Sequence, residues 1–295
     1  MKEENKAYLL LHGAVILFGF TAILGALIHL DAFVLVWWRV LIATIGISFF
    51  TKGIGFITTI PRKKLLQYIL VGSVIAIHWS LFFLSVKLAG ASICLVCMAT
   101  TSLFISIIEP LMLKQKFQKL DFVIAILIVP GMVLVANSAG LSKVWGIVAG
   151  LSSAALAAVF SILNKKYIKN VSVWHISWIE MSSAWVTLGV FIGIAYLFNF
   201  KFTILPSPVD WFYLILLGFV CTTIAHAMSL VALKHISAFA LGLVINLEPI
   251  YGIILAALLL HEHKALNQNF YIGAVLIMVA IFAYPFLKKR LAHAF

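Results

Sequence analysis

Four ionisable side chains, Arg39, Glu109, Glu180 and Glu248, and three histidines, His12, His78 and His226, interrupt long runs of apolar residues. In a bilayer each such charge costs at least about 2.5–3.5 kcal/mol, so each needs a polar partner or a task. Glu248 stands about twelve residues into its run, roughly 18 Å deep at the helical rise, which is near a membrane midplane. Pro249 follows it, and a proline frees a backbone carbonyl one turn earlier and bends the helix. Asn246, Glu248 and that backbone are therefore expected to face a polar cavity. A carboxylate held there can bind and release a proton, so Glu248 is the residue to which proton coupling is assigned; facilitated diffusion fits the same residues equally.

His78 with Trp79, and His226, fall in the middle of two further runs, and Tyr251 follows Glu248 by three positions. Aromatic rings beside polar midplane residues suit an aromatic or cationic solute by stacking or cation–π attraction, so these residues join the expected cavity wall. Arg39 and Glu180 differ in expected depth by about 10 Å, which argues against a direct pair. They are read as separate gating or structural charges, Arg39 towards the outer side and Glu180 as its inner counterpart. Glu109, immediately before Pro110 and close to Lys114, is read as an inner gate.

Other chemistries lack their residues. Cys94, Cys97 and Cys221 are the only cysteines, all inside apolar runs, so the C-x-x-C spacing of the first two is expected to serve packing. No H-E-x-x-H or G-x-S-x-G pattern supports an enzyme, and no G-x-x-x-x-G-K-[ST] supports ATP binding. No cofactor and no metal is expected.

These side chains must be positioned by helices. The composition is 64% hydrophobic and 10% charged, far from the roughly 45–50% and 25% of soluble domains. Apolar runs at 7–28, 32–51, 65–86, 90–113, 119–137, 143–165, 173–198, 209–233, 236–260 and 268–288 each suit a transmembrane helix. The first is too long for the apolar core of a signal peptide and is read as a retained span. With the N-terminus inside, sixteen lysines and arginines flank the inner ends and four (Lys87, Lys143, Lys201, Lys264) the outer ends. This bias predicts a cell (inner) membrane protein with both termini cytoplasmic. It also accounts for the net charge of +12 without nucleic acid, since the basic residues sit in short clusters between spans.

Shifting the chain by 147 positions sets Leu84-Ser85-Val86-Lys87-Leu88-Ala89-Gly90-Ala91 against Val231-Ala232-Leu233-Lys234-His235-Ile236-Ser237-Ala238. Half the chain therefore repeats the other half, over 1–138 and 139–295. Each half holds five spans, an odd number, so the second must be inverted relative to the first. The expected fold is all-α and integral to the membrane: ten transmembrane helices as two inverted five-helix repeats. Two near-equivalent halves can exchange conformations, which is the mechanical basis of alternating access.

Leu247-Glu248-Pro249, Leu259-Leu260-His261-Glu262 and Gly273 in the last two spans, with Phe18-Gly19-Phe20 and Arg39 in the first two, resemble the EamA-type proteins of the drug/metabolite transporter superfamily. The resemblance covers the whole chain and implies a secondary transporter, an exporter of amino acids or similar small metabolites or drugs. Each repeat of that family closes its fourth helix with an acidic residue; Glu262 matches it, while the first repeat has Lys114-Gln115-Lys116. The implied partners are a small-molecule substrate and membrane lipid, and both a monomer and a homodimer remain open. A second reading, antiport of phosphorylated or nucleotide-linked sugars, requires several cavity cations, and Arg39 alone lies within a span.

Overall fold

The computed structural model describes residues 3–51, 53–117, 119–168, 171–245 and 247–292. Helix dominates them, as it must where lipid offers backbone groups no partner outside the segment itself. In chain order the helices are α1 (Glu3–Leu27), α2 (Ala32–Thr51), α3 (Arg62–Ala89), α4 (Ala91–Met98), α5 (Thr101–Leu113), α6 (Lys119–Ala139), α7 (Val144–Tyr167), α8 (Val173–Leu197), α9 (Pro208–His235), α10 (Ala238–Ile245), α11 (Glu248–Leu259) and α12 (Gln268–Ala292). Among the described residues seven helices, counting α4 and α5 as one, are long and apolar enough to cross a membrane. Shorter apolar stretches of α6, α11 and α12 supply the rest. The bounds follow the ten expected spans to within a few residues at most ends.

The fourth and ninth spans are broken; Pro249 marked a bend in the ninth, whereas the apolar run of the fourth gave no sign of one. Adding 147 to the bounds of α4, Ala91–Met98, returns those of α10, Ala238–Ile245, and adding it to Thr101, the start of α5, returns Glu248, the start of α11. The bond that tightens each break is also repeated: Thr100 N donates to Cys97 O at 3.0 Å and Leu247 N to Val244 O at 3.0 Å. The break near Glu248 is therefore a property of the repeat and not of Pro249 alone, because Ser102 occupies the matching place in the first half. Irregular backbone at this depth is tolerated where it is buried in protein or lines a cavity.

Packing follows the same symmetry. The contact of α1 with α9 is matched by that of α7 with α3, whereas α2 against α8 and α6 against α12 pair equivalent helices across the pseudo-two-fold. On the face where α3 meets α8, a Cβ at Gly72 would lie 2.0 Å from Ser183 Oγ and 2.3 Å from the Glu180 carbonyl oxygen. Backbone cannot yield as a flexible side chain can, so Gly72→Ala is expected to cost about 1–3 kcal/mol. A fall of several degrees in the apparent Tm of the detergent-purified protein is the measurement that checks it.

Gly90 joins α3 to α4 as a single residue at φ 99° and ψ 160°, a conformation essentially confined to glycine. Having no side chain, it leaves the first amides of α4 uncapped. Glu262 fills the need from the far side of the repeat: Ala91 N donates to its Oε1 at 2.8 Å and Ser92 N to its Oε2 at 2.9 Å. At the matching start of α10, Ser237 caps its own helix by accepting from Ala240 N at 3.0 Å. One repeat thus requires the distant carboxylate and the other does not, which explains why Gln115 can stand where Glu262 has its counterpart. Glu262→Ala removes two charge-assisted bonds and is expected to destabilise the protein by about 1–2 kcal/mol, with Gln115→Ala neutral in the same thermal assay.

Candidate functional site

A central cavity is enclosed by α1, α2, α3, α4, α5, α7, α9, α10 and α11, so both repeats contribute to it. Its polar wall carries Arg39, His78, Thr101, Asn164, His226 and Glu248, and Trp79, Phe18, Phe82 and Phe160 supply aromatic surface. The space measures about 80 Å³. That holds a few waters, against roughly 300–1,000 Å³ for pockets that enclose drug-sized ligands. Entry of a solute therefore requires the walls to part.

Glu248 is 7% exposed and begins α11, where the amides of the first helical turn favour a negative charge. Thr101, its counterpart after the first break, faces the same cavity. The duplication therefore sets two polar side chains at two helix starts, one charged and one neutral.

Arg39 is 1% exposed, and its surroundings show how a buried guanidinium is held. Its Nε donates to Thr222 Oγ1 at 2.7 Å, and its plane lies 4.0 Å from the centroid of Trp79. Thr222 is presented by a π-helical stretch of α9, Leu216–Ile224, whose wider turn exposes carbonyls five residues back. Thr222 Oγ1 donates to Leu217 O at 2.7 Å, which turns its lone pairs towards the arginine. Arg39 Nη1 completes no hydrogen bond, and neither Arg39 nor Glu248 forms a salt bridge with a described residue. Arg39, expected as a gating or structural charge towards the outer side, thus lies in the cavity wall, on α2 where it packs against α9.

His78 is fixed by α7. Ser153 Oγ donates to the His78 carbonyl at 2.9 Å, and His78 Nδ1 donates to the Ser153 carbonyl at 2.8 Å, which makes Nε2 its acceptor. His226 bonds Glu180 Oε2 through Nε2 at 2.8 Å, and its ring stands edge-on to Trp79 with centroids 6.3 Å apart. Trp79 and His226, opposite one another under the 147 shift, therefore meet in space.

Other expected residues lie elsewhere. Tyr251 is 37% exposed with its Cβ against α1 at Gly19, and it does not line the cavity. Glu109 is half-buried towards the end of α5 and also lies outside the lining, and Asn246 falls outside the described residues. Glu180 is fully buried behind His226 and is not itself part of the wall. Trp37 stacks on Trp185 at 5.8 Å, and Trp178 Nε1 donates to Ser48 Oγ at 2.9 Å, so these rings serve the contact of α2 with α8. Cys94 and Cys97 are buried with free thiols and pack against backbone. Thr101, Thr222 and Asn164 were not singled out from the sequence. For Thr101 the signal was present, since it is the repeat partner of Glu248; a lone threonine or asparagine in an apolar run carries none.

Comparison with known proteins extends these observations. A search of curated proteins found no significant match. The crystal structure of another protein, 16% identical in sequence, superposes with a TM-score of 0.71 over 97% of this chain and 99% of the other, which shows a shared fold. The model of the EamA-like transporter family matches residues 5–137 and again 144–284. Two matches that together span nearly the whole chain show that this multi-pass, non-enzymatic membrane protein belongs to the EamA-like transporter family of the drug/metabolite transporter superfamily.

Proposed function

We propose that the chain exports a small zwitterionic metabolite of the amino-acid class by alternating access, with Arg39 holding the carboxylate and Glu248 the ammonium group. The observation that carries this is a guanidinium and a carboxylate, one from each repeat, facing a single buried cavity without a salt bridge between them. Burying two opposite charges apart is costly, and a zwitterion that spans them offsets both costs at once. Arg39 Nη1, buried without a partner, is the donor left for a second bond to the solute carboxylate. Trp79 then lies against the solute's body, and His78 adds an acceptor on the same wall.

Uptake of a panel of labelled amino acids and cationic drugs into proteoliposomes tests this reading, with Glu248→Gln and Trp79→Ala beside the parent. Saturable uptake of one zwitterionic class, lost in both variants, supports it. Uptake of cationic drugs alone, or of sugar phosphates in a parallel assay, refutes the assignment of the solute.

The same reading places both termini in the cytoplasm of the cell, on the strength of the sixteen-to-four bias in flanking basic residues. A green fluorescent protein fused to the C-terminus is expected to fluoresce, and alkaline phosphatase fused at the same point to stay inactive. The reverse pattern inverts the topology.

A further inference from the structure

We propose that Glu180 and His226 form a proton site, distinct from the side chains that hold the solute, and that its one exchangeable proton travels with the transport cycle. The proposal rests on the transport reading above but moves the proton away from Glu248.

Geometry sets this pair apart from a structural strut. Glu180 is 0% exposed, and its Oε2 lies 2.8 Å from His226 Nε2. Its Oε1 lacks a hydrogen bond of normal geometry, and the side-chain amide of Asn164 is its polar neighbour. Buried carboxylates kept for structure have their oxygens satisfied, and a half-satisfied one is a candidate for traffic. His226 and Asn164 line the cavity whereas Glu180 does not, so the imidazole stands between cavity water and the carboxylate. A proton entering from the cavity meets the imidazole first.

Charge then links this proton to conformation. With a neutral imidazole donating its Nε2 hydrogen, the pair carries one negative charge; one further proton makes it an imidazolium against a carboxylate, with no net charge. Only the second form is cheaply buried, so the pair holds its proton while occluded and yields it when water reaches the cavity. The charged and titratable groups that face it are Arg39 on α2, Tyr68 and His78 on α3, and Glu248 on α11, with the neutral amide of Asn164 on α7. Tyr68 is committed to the Tyr167 carbonyl at 2.9 Å, and the charges of Arg39 and Glu248 oppose one another. A zwitterion adds no net charge, which leaves the pair as the group through which a pH gradient acts on the cycle.

Trp79 provides a readout that needs no solute, because an imidazolium in contact with indole quenches its emission and the two rings are 6.3 Å apart. In the full chain in lipid nanodiscs, tryptophan emission is expected to fall in a single protonation step as pH is lowered from 9 to 5. The step disappears in His226→Gln and in Trp79→Phe, and in Glu180→Gln its midpoint is displaced by about one pH unit or more. A step that survives His226→Gln, a midpoint unmoved in Glu180→Gln, or no step in the parent overturns the proposal. In proteoliposomes with labelled L-phenylalanine as probe, Glu180→Gln is expected to keep exchange of internal for external phenylalanine and to lose at least tenfold of the accumulation driven by a pH gradient. Equal driven accumulation in variant and parent, or loss of exchange together with accumulation, also overturns it. A parent that does not transport phenylalanine counts against the choice of solute, and the fluorescence titration then decides on the proton site alone.

Discussion

Arg39→Met is expected to lower the initial rate of zwitterion uptake by at least about 100-fold. The guanidinium is held by Thr222 and by the face of Trp79, with Phe83 at 5.4 Å, and its Nη1 remains without a partner. Removing one member of a buried charge pair costs about 3–5 kcal/mol, because the other charge stays buried and uncompensated. In the transport cycle that other charge is the solute carboxylate, and about 1.4 kcal/mol per factor of ten sets the loss at about two to three and a half orders of magnitude. Arg39→Lys keeps the charge but loses the planar fork and the stacking on indole, so a smaller loss of about tenfold is expected. Uptake kinetics with an apparent Tm for each variant check the prediction. If Arg39→Met and Arg39→Lys unfold alike, or if Arg39→Met transports at the parent's rate, the binding role fails.

Glu248→Gln is expected to lower zwitterion uptake by a similar factor and also to change what the cavity accepts. With the carboxylate gone, Arg39 is left as the uncompensated charge among the described cavity residues, and the preferred occupant becomes an anion. An N-acetylated amino acid keeps the carboxylate and lacks the ammonium charge, so the parent rejects it: its neutral end would leave Glu248 buried and unpaired. Glu248→Gln relieves that penalty, and the ratio of N-acetylated to free amino-acid uptake is expected to rise by about 100-fold or more. Competition between the two labelled solutes in proteoliposomes measures this ratio directly. A general loss of both, with the ratio unchanged, would mean that Glu248 supports the bundle and does not read the solute.

The two predictions concern opposite ends of one solute, and their combination is diagnostic. Residues that share a ligand are coupled, so the effects of Arg39→Met and Glu248→Gln are expected to be strongly non-additive. Independent structural roles would give a double variant whose loss is the product of the single losses. Capping by Glu262 and close packing at Gly72 stand as the contrasting class, since their variants are expected to alter stability without altering which solute is preferred.

Much of the fold was legible because the bilayer makes the rule simple: a run of about twenty apolar residues must be a helix. Pro249 marked a bend in the ninth span, but the break in the fourth was not legible, because Met98-Ala99-Thr100-Thr101 is as apolar or small as its surroundings and contains neither proline nor glycine. Only alignment of the halves by 147 positions shows why a break at Glu248 implies one at Thr101. The site was half legible. Glu248, His78, Trp79 and His226 were marked by their types, since polar or indole groups at mid-span are expensive. Tyr251 was marked by proximity in sequence to Glu248, and α11 instead carries it against α1. Glu180 was judged against Arg39 by depth alone, whereas its partner is His226 on α9, a helix whose approach to α8 no spacing along the chain encodes.

By itself the sequence determined the membrane location, the helices, the duplication and the list of costly buried charges. Each of these follows from local hydrophobicity or from self-similarity, and both are properties of the chain read one residue after another. Tertiary structure alone decided which charges meet: Arg39 with Thr222 and Trp79, Glu180 with His226, Glu262 with the start of α4, and Arg39 with Glu248 left unjoined across one cavity. The physical reason is that a lipid-facing helix can turn about its axis at little cost in hydrophobic energy, so packing against neighbouring helices fixes where each polar side chain points.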